Sequence, residues 1–135
     1  MTQENKELLI KDLCARLPYG VEVEYNSIKC EVLSIDKYNE ELTIRVCPGY
    51  SPIVKLENIK PFLFPLSSMT IEQEKELSKL GVSYGEYALH DDIRGLGIMV
   101  DEAYIFFEFC YKHHIDFLGL IEKGLAIDAT GLNIY

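Results

Sequence analysis

The spacing of apolar residues changes period along the chain, and each change marks an element. Over about Gln3–Leu17, Leu9, Leu13 and Leu17 recur at four-residue steps with Ile10 and Cys14 beside them, a stripe that predicts an amphipathic helix. Glu4 and Glu7 stand near its start and Arg16 near its end, as the helix dipole favours. Pro18 stops it and Tyr19-Gly20 turns the chain. A helix this short is not stable alone in water, so its stripe must dock on something.

From Val21 the period drops to two. Val21, Val23 and Tyr25 alternate with Glu22 and Glu24, and Asn26-Ser27 can turn the chain. A longer strand over about Ile28–Asp36 changes phase: Ile28, Cys30 and Val32 point one way, Leu33 and Ile35 the other, which predicts a bulge or bend. Asp36–Glu40 reads as a hairpin loop, and Leu42, Ile44 and Val46 mark a third strand. Pro48–Pro52 is a turn, Ile53–Leu56 a short fourth strand, and Glu57-Asn58 a tight turn before a fifth strand, Ile59–Phe64. Five short strands, one bent, predict an SH3-like small β-barrel rather than a sandwich of about seven strands. Pro61 and Pro65 lack ladder donors and predict that the fifth strand lies at an edge.

Beyond it, Thr70 followed by Gln73 forms a capping box for a helix with Leu77 and Leu80 facing inward and Gly81 as its C-terminal cap. Residues 82–99, broken by Gly85, Gly95 and Gly97, have no clean period. Asp101 reads as the cap of a helix over about Glu102–His113, whose run Ala103–Tyr111 is apolar nearly all round. A short helix near Leu118–Lys123 and a strand at Leu125-Ala126-Ile127 complete an α+β reading: residues 1–66 as helix plus barrel, and residues 67–135 as a helical C-terminal lobe packed on it in one cooperative unit. Ile105, Phe106 and Phe109 are expected to pack against the barrel or the first helix.

Composition narrows the function classes. The 135 residues, 48% hydrophobic and 26% charged, suit one globular domain and exclude a disordered or collagen-like chain. No stretch approaches a membrane span, and Met1–Lys6 is too polar for a signal peptide, so a cytoplasmic location without a membrane partner is expected. The balance of 13 basic against 22 acidic residues, net -9, repels polyanions, and Arg16, Arg45 and Arg94 are the only arginines. Nucleic acid is therefore not an expected partner.

Cys14, Cys30, Cys47 and Cys110 lie far apart without a C-x-x-C pair, which points away from zinc and towards free thiols in a reducing compartment. Cys30 and Cys47 in particular are expected to be unpaired and slow to react. His113, His114 and Asp116 form the densest set of titratable side chains. Adjacent residues on a helix project about 100° apart, so one metal is poorly served by both imidazoles, and a helix-capping histidine beside one packed on aromatics explains the pair. His90-Asp91-Asp92 lacks the further histidines of a metal-dependent phosphohydrolase, and Gly95-Leu96-Gly97 lacks the rest of a dinucleotide fingerprint. No nucleophile elbow exists, so no catalytic residue, metal or cofactor is expected. Glu122 and Lys123, in the run Gly119–Ala126, sit where the chain turns; with His113, His114 and Asp116 they are the candidate binding residues.

Several stretches together resemble a known set of proteins. Leu13 with Ala15–Val21, Ile59–Leu63, Pro65–Thr70, His113–Phe117 and Gly119–Ala126 are similar to a family of small proteins from gut anaerobic bacteria and their phages and mobile elements. The resemblance spans nearly the whole chain apart from residues 82–100. It implies a genomic setting and brings no activity and no catalytic residue. The expected function is a non-enzymatic, phage- or mobile-element-associated interaction module whose partner is another protein. The alternative is a protein that binds or sequesters a small, nucleotide-like ligand in a groove between the lobes.

Overall fold

A computed structural model describes residues 1–80 and 100–135. Gly81, Gly85, His90-Asp91-Asp92 and Gly95-Leu96-Gly97 lie outside the described residues. Helix α1 spans Gln3–Arg16; the Thr2 hydroxyl accepts the Asn5 N–H at 3.1 Å and caps its start. Winding tightens into a single 3-10 turn, Leu17–Tyr19, before Gly20 redirects the chain at φ 83°.

Strands β1 (Glu22–Tyr25), β2 (Ile28–Asp36), β3 (Glu41–Arg45), β4 (Ile53–Lys55) and β5 (Ile59–Pro65) follow. Asn26 and Ser27 both have positive φ, 49° and 64°, which matches the twist of a two-residue hairpin. The expected phase change in β2 is a register shift between Val32 and Ser34 that leaves Leu33 as the extra residue. Before it Val32 faces Ile44; after it Ile35 faces Leu42, so both stretches keep their apolar side chains on one face. The Asp36 carboxylate closes the β2–β3 loop by accepting the Tyr38 and Asn39 N–H groups at 3.0 and 3.1 Å. A 3-10 turn, Leu56–Asn58, precedes β5 as the sequence predicts.

Helices α2 (Ile71–Lys79) and α3 (Val100–Lys112) come next, then β6 (Ile115–Asp116) and β7 (Ile127–Asp128). Neighbours run β4-β3-β2-β1-β5-β6, with β7 also on β5. The protein is thus α+β, with an N-terminal helix, a mixed sheet and a C-terminal helix; the sheet does not close on itself.

Several expectations are corrected. The fifth strand is not an edge: β5 pairs antiparallel with β1 and parallel with both β6 and β7. Its prolines are tolerated because neighbours supply the ladder, Phe64 N–H donating to His114 C=O and Leu63 C=O accepting from Ala129 N–H, both at 2.8 Å. Residues 118–123 are not a helix but turns, and Asp101 is a residue of α3 rather than the cap before it. Leu80 is 49% exposed, because α2 is one short amphipathic stretch whose inward position is Leu77. Cys47 is exposed in the β3–β4 turn, whereas Cys30 and Cys110 are buried; all four cysteines are free.

Among the described residues, two apolar clusters fill the interior. The first joins Leu9 and Leu13 of α1 to the inner sheet face, including Val23, Cys30, Ile44 and Leu63, and takes Leu120, Leu125 and Ala126 from the far end of the chain. The second gathers Leu77 of α2, Phe106, Phe109 and Cys110 of α3, and Ile115 and Phe117. Phe106 and Phe109 therefore pack with Leu77 of α2, Ile115 of β6 and Phe117, with Ile105 partly buried beside them.

Candidate functional site

Leu9, Asp12, Leu13 and Arg16 occupy positions i, i+3, i+4 and i+7, a single face of α1, and all four are buried. Burial of that face puts a charged pair between the two clusters. Arg16 Nε donates to Asp12 Oδ2 at 2.7 Å, Nη1 to Cys110 C=O at 3.2 Å and Nη2 to Ile115 C=O at 2.8 Å. One guanidinium thus binds α1, the last turn of α3 and β6, and it lies 5.2 Å from the centre of the Tyr111 ring. Burial pushes the Asp12 carboxyl above its usual range while Arg16 pulls the other way; Oδ1 has no hydrogen-bond partner among the described residues. Burial also drives the Cys110 thiol up to about 12, so it is a small core residue rather than a thiolate.

The five candidate residues fall into three settings. Asp116 is buried, and its two oxygens accept the Leu120 and Ile121 N–H groups, each at 2.9 Å. Its carboxylate closes the turn that follows. The histidines lie beyond the end of α3, not on it. His113 packs its ring 4.4 Å from Phe109, and its Nε2 approaches Glu76 of α2 at 3.4 Å without hydrogen-bond alignment. His114 takes the left-handed conformation common just past a helix end, φ 60°, and its N–H donates to Tyr111 C=O at 3.3 Å. Its ring stacks on Tyr135 at 3.5 Å and 8°. Burial first, then the charges of Arg16 and His113, lower His114 to about 4, so the imidazole is neutral near pH 7. Glu122 and Lys123 are exposed on the turn closed by Asp116. Among the described residues no three His, Cys, Asp or Glu side chains converge as metal ligands, and no helix is long and apolar enough to cross a membrane.

Two residues of this region were not singled out in the sequence. For Asp12 the signal is its spacing from Leu9 and Arg16, which places it on the buried face. Tyr135 carried no local signal, because its partners are more than twenty residues away in the chain.

Two surface features complete the geometry. Ile44 N–H donates to Pro52 C=O and Leu56 N–H to Glu40 C=O, so Pro52, Val54 and Leu56 face β3. The intervening backbone groups of Ile53 and Lys55 point away from the sheet. Ile53 is 68% exposed there, with exposed Tyr50 in the turn before β4 and Tyr38, 99% exposed, in the hairpin beside its other end. Between α1 and the β2–β3 hairpin lies a groove of about 430 Å³, lined by Ile10 and Cys14 and by Glu7, Lys11, Lys37 and Glu40. Compared with family models, curated proteins and solved structures, the chain has no match in any of the three.

Proposed function

We propose that the protein is a non-enzymatic interaction module whose open sheet edge, β4, receives an extended segment of a partner protein. The observation that carries this reading is the outward row of N–H and C=O groups at Ile53 and Lys55, unpaired among the described residues, beside an exposed isoleucine side chain. Strand addition draws affinity from such main-chain groups and selectivity from alternate side chains. The partner segment would set an apolar residue against Ile53, between Tyr50 and Tyr38. The β1–β4 meander with β5 returned beside β1, with its bent second strand and its 3-10 turn before the fifth, is read as an open relative of an SH3-like barrel. The family resemblance supports a phage- or mobile-element-associated accessory role.

The test is affinity capture with three forms of the protein. Wild type and Lys60→Glu, an exposed change on β5, should retain the same partner, and Ile53→Asp should lose it. A partner that Ile53→Asp still captures would sink the edge reading.

The groove between α1 and the hairpin supports a second reading, a small-ligand site. Its volume lies within the 300–1,000 Å³ typical of such sites, and Lys11 and Lys37 suit an anionic, nucleotide-like ligand. Native mass spectrometry should then reveal a co-purifying small molecule that Lys37→Glu releases; a ligand-free spectrum removes this reading.

A further inference from the structure

The Tyr135 ring fills a slot built from three separate parts of the fold. One face lies on His114, in the turn after α3, at 3.5 Å and 8°, and Phe64 of β5 stands at 6.1 Å, tilted by 56°. The hydroxyl accepts the Glu22 N–H of β1 at 3.1 Å and donates to Phe62 C=O of β5 at 2.9 Å. It sits just past the last β1–β5 pair, Val23 with Pro61. One unpaired donor and one unpaired acceptor, below a flat neutral imidazole, match a phenol, which offers one of each. Phenylalanine would leave both groups unmet, and tryptophan can only donate. Tyr135 as a whole is 45% exposed, but desolvation at its hydroxyl end holds that group up at about 12, so it remains a neutral donor.

The strap that delivers this ring is lightly held. Ala129 N–H is bonded to Leu63 C=O, and Thr130 is tied back to Asp128. From Thr130 to Asn133 the residues are exposed, with Gly131 and Asn133 at φ 78° and 53°, and no hydrogen bond joins them to the sheet among the described residues. The ring's anchors are its own.

We propose that this slot is an exchangeable tyrosine-binding site, occupied within the chain by Tyr135 and open to a tyrosine side chain presented by a partner protein. This site is independent of the β4 edge. A phosphorylated tyrosine is excluded, because its oxygens only accept and would crowd the Phe62 carbonyl.

The probe is N-acetyl-tyrosinamide, followed by NMR at the His114 ring and the Glu22 amide. In wild type, millimolar probe should shift both signals saturably and release the Tyr135 ring. Tyr135→Ala should bind the same probe at least about ten-fold more tightly, since nothing competes. The phenylalanine analogue should bind about ten-fold more weakly than the tyrosine probe, the worth of about one net hydrogen bond, and the O-phosphotyrosine analogue should not bind. If Tyr135→Ala does not fold, Tyr135→Phe, which keeps the stack as a weaker competitor and loses both hydrogen bonds, should tighten probe binding by up to about ten-fold. A wild type whose signals stay fixed while the variant saturates would make Tyr135 a permanent plug and overturn the proposal. So would a variant that ignores the probe, or a wild-type dimer formed by strap exchange, which would make the second copy the occupant.

Discussion

The two apolar clusters obey different rules. Around the sheet, every second residue points inward, and the alternation survives the slip at Leu33 because a bulge is a local event. Around α3 the run Ala103–Tyr111 is apolar nearly all round and carries no face information. Its buried side chains, Phe106, Phe109 and Cys110, are those that meet Leu77, Ile115 and Phe117, whereas Tyr104 is 68% exposed. Periodicity names a face only where the other face is polar. The join between the clusters is polar itself: the Arg16 guanidinium takes Asp12 on α1, a carbonyl of α3 and one of β6.

The largest test of this comparison removes one cluster. A fragment of residues 1–66 lacks Leu120, Leu125 and Ala126 from the first cluster and leaves β5 without β6 and β7. It should be unfolded or aggregated, losing the whole ~5–15 kcal/mol typical of a domain, while the full chain unfolds in one transition. A dispersed, stable NMR spectrum from the fragment would mean that the clusters are independent.

Next comes the join. Arg16→Ala strands a buried carboxylate and two carbonyls and should cost ~3–5 kcal/mol in urea unfolding. A loss below ~1 kcal/mol would mean that apolar contact alone orients the clusters.

The third effect is set by pH. His114 titrates at about 4 when folded against 6.5 when unfolded. The unfolded chain therefore takes up its proton first, so the contribution is complete above about 6.5 and is lost as pH falls towards 4. The urea midpoint should drop from pH 7 to pH 4.5, and His114→Asn, which tolerates the same backbone, should flatten that slope. An unchanged slope would place the acid sensitivity elsewhere.

The smallest effect is the control for Arg16. Arg45 meets Glu31 at 2.9 Å, close to the Arg16–Asp12 distance, yet both side chains are about half exposed. Arg45→Ala should cost no more than ~1 kcal/mol by the same urea titration. A loss as large as that of Arg16→Ala would show that pairing, not burial, carries the effect.

The legible part of this protein is its local part. The hairpin at Asn26-Ser27, the bulge, the 3-10 turn before β5 and the Thr70–Gln73 capping box each depend on a few neighbouring residues. The candidate binding residues were visible as residue types, but their settings were not. Asp116 looked like a possible ligand because its two amide partners lie in a turn that the apolar pattern presented as a helix. The pattern predicts one histidine capping the helix and one packed on aromatics; in the fold both meet a ring, His113 that of Phe109 and His114 that of Tyr135.

By itself the sequence determined the α+β class, the order of elements from α1 to β5, and the inward face of each alternating strand, since those follow from backbone preference and from which side chains leave water. Tertiary structure alone decided that β5 is interior, that the Arg16 guanidinium reaches the Cys110 and Ile115 carbonyls, and that Tyr135 closes over His114. Each of those outcomes brings together residues distant in the chain. A buried charge or an aromatic stack becomes favourable only once both partners have been delivered to the same place, and no short stretch of sequence contains that information.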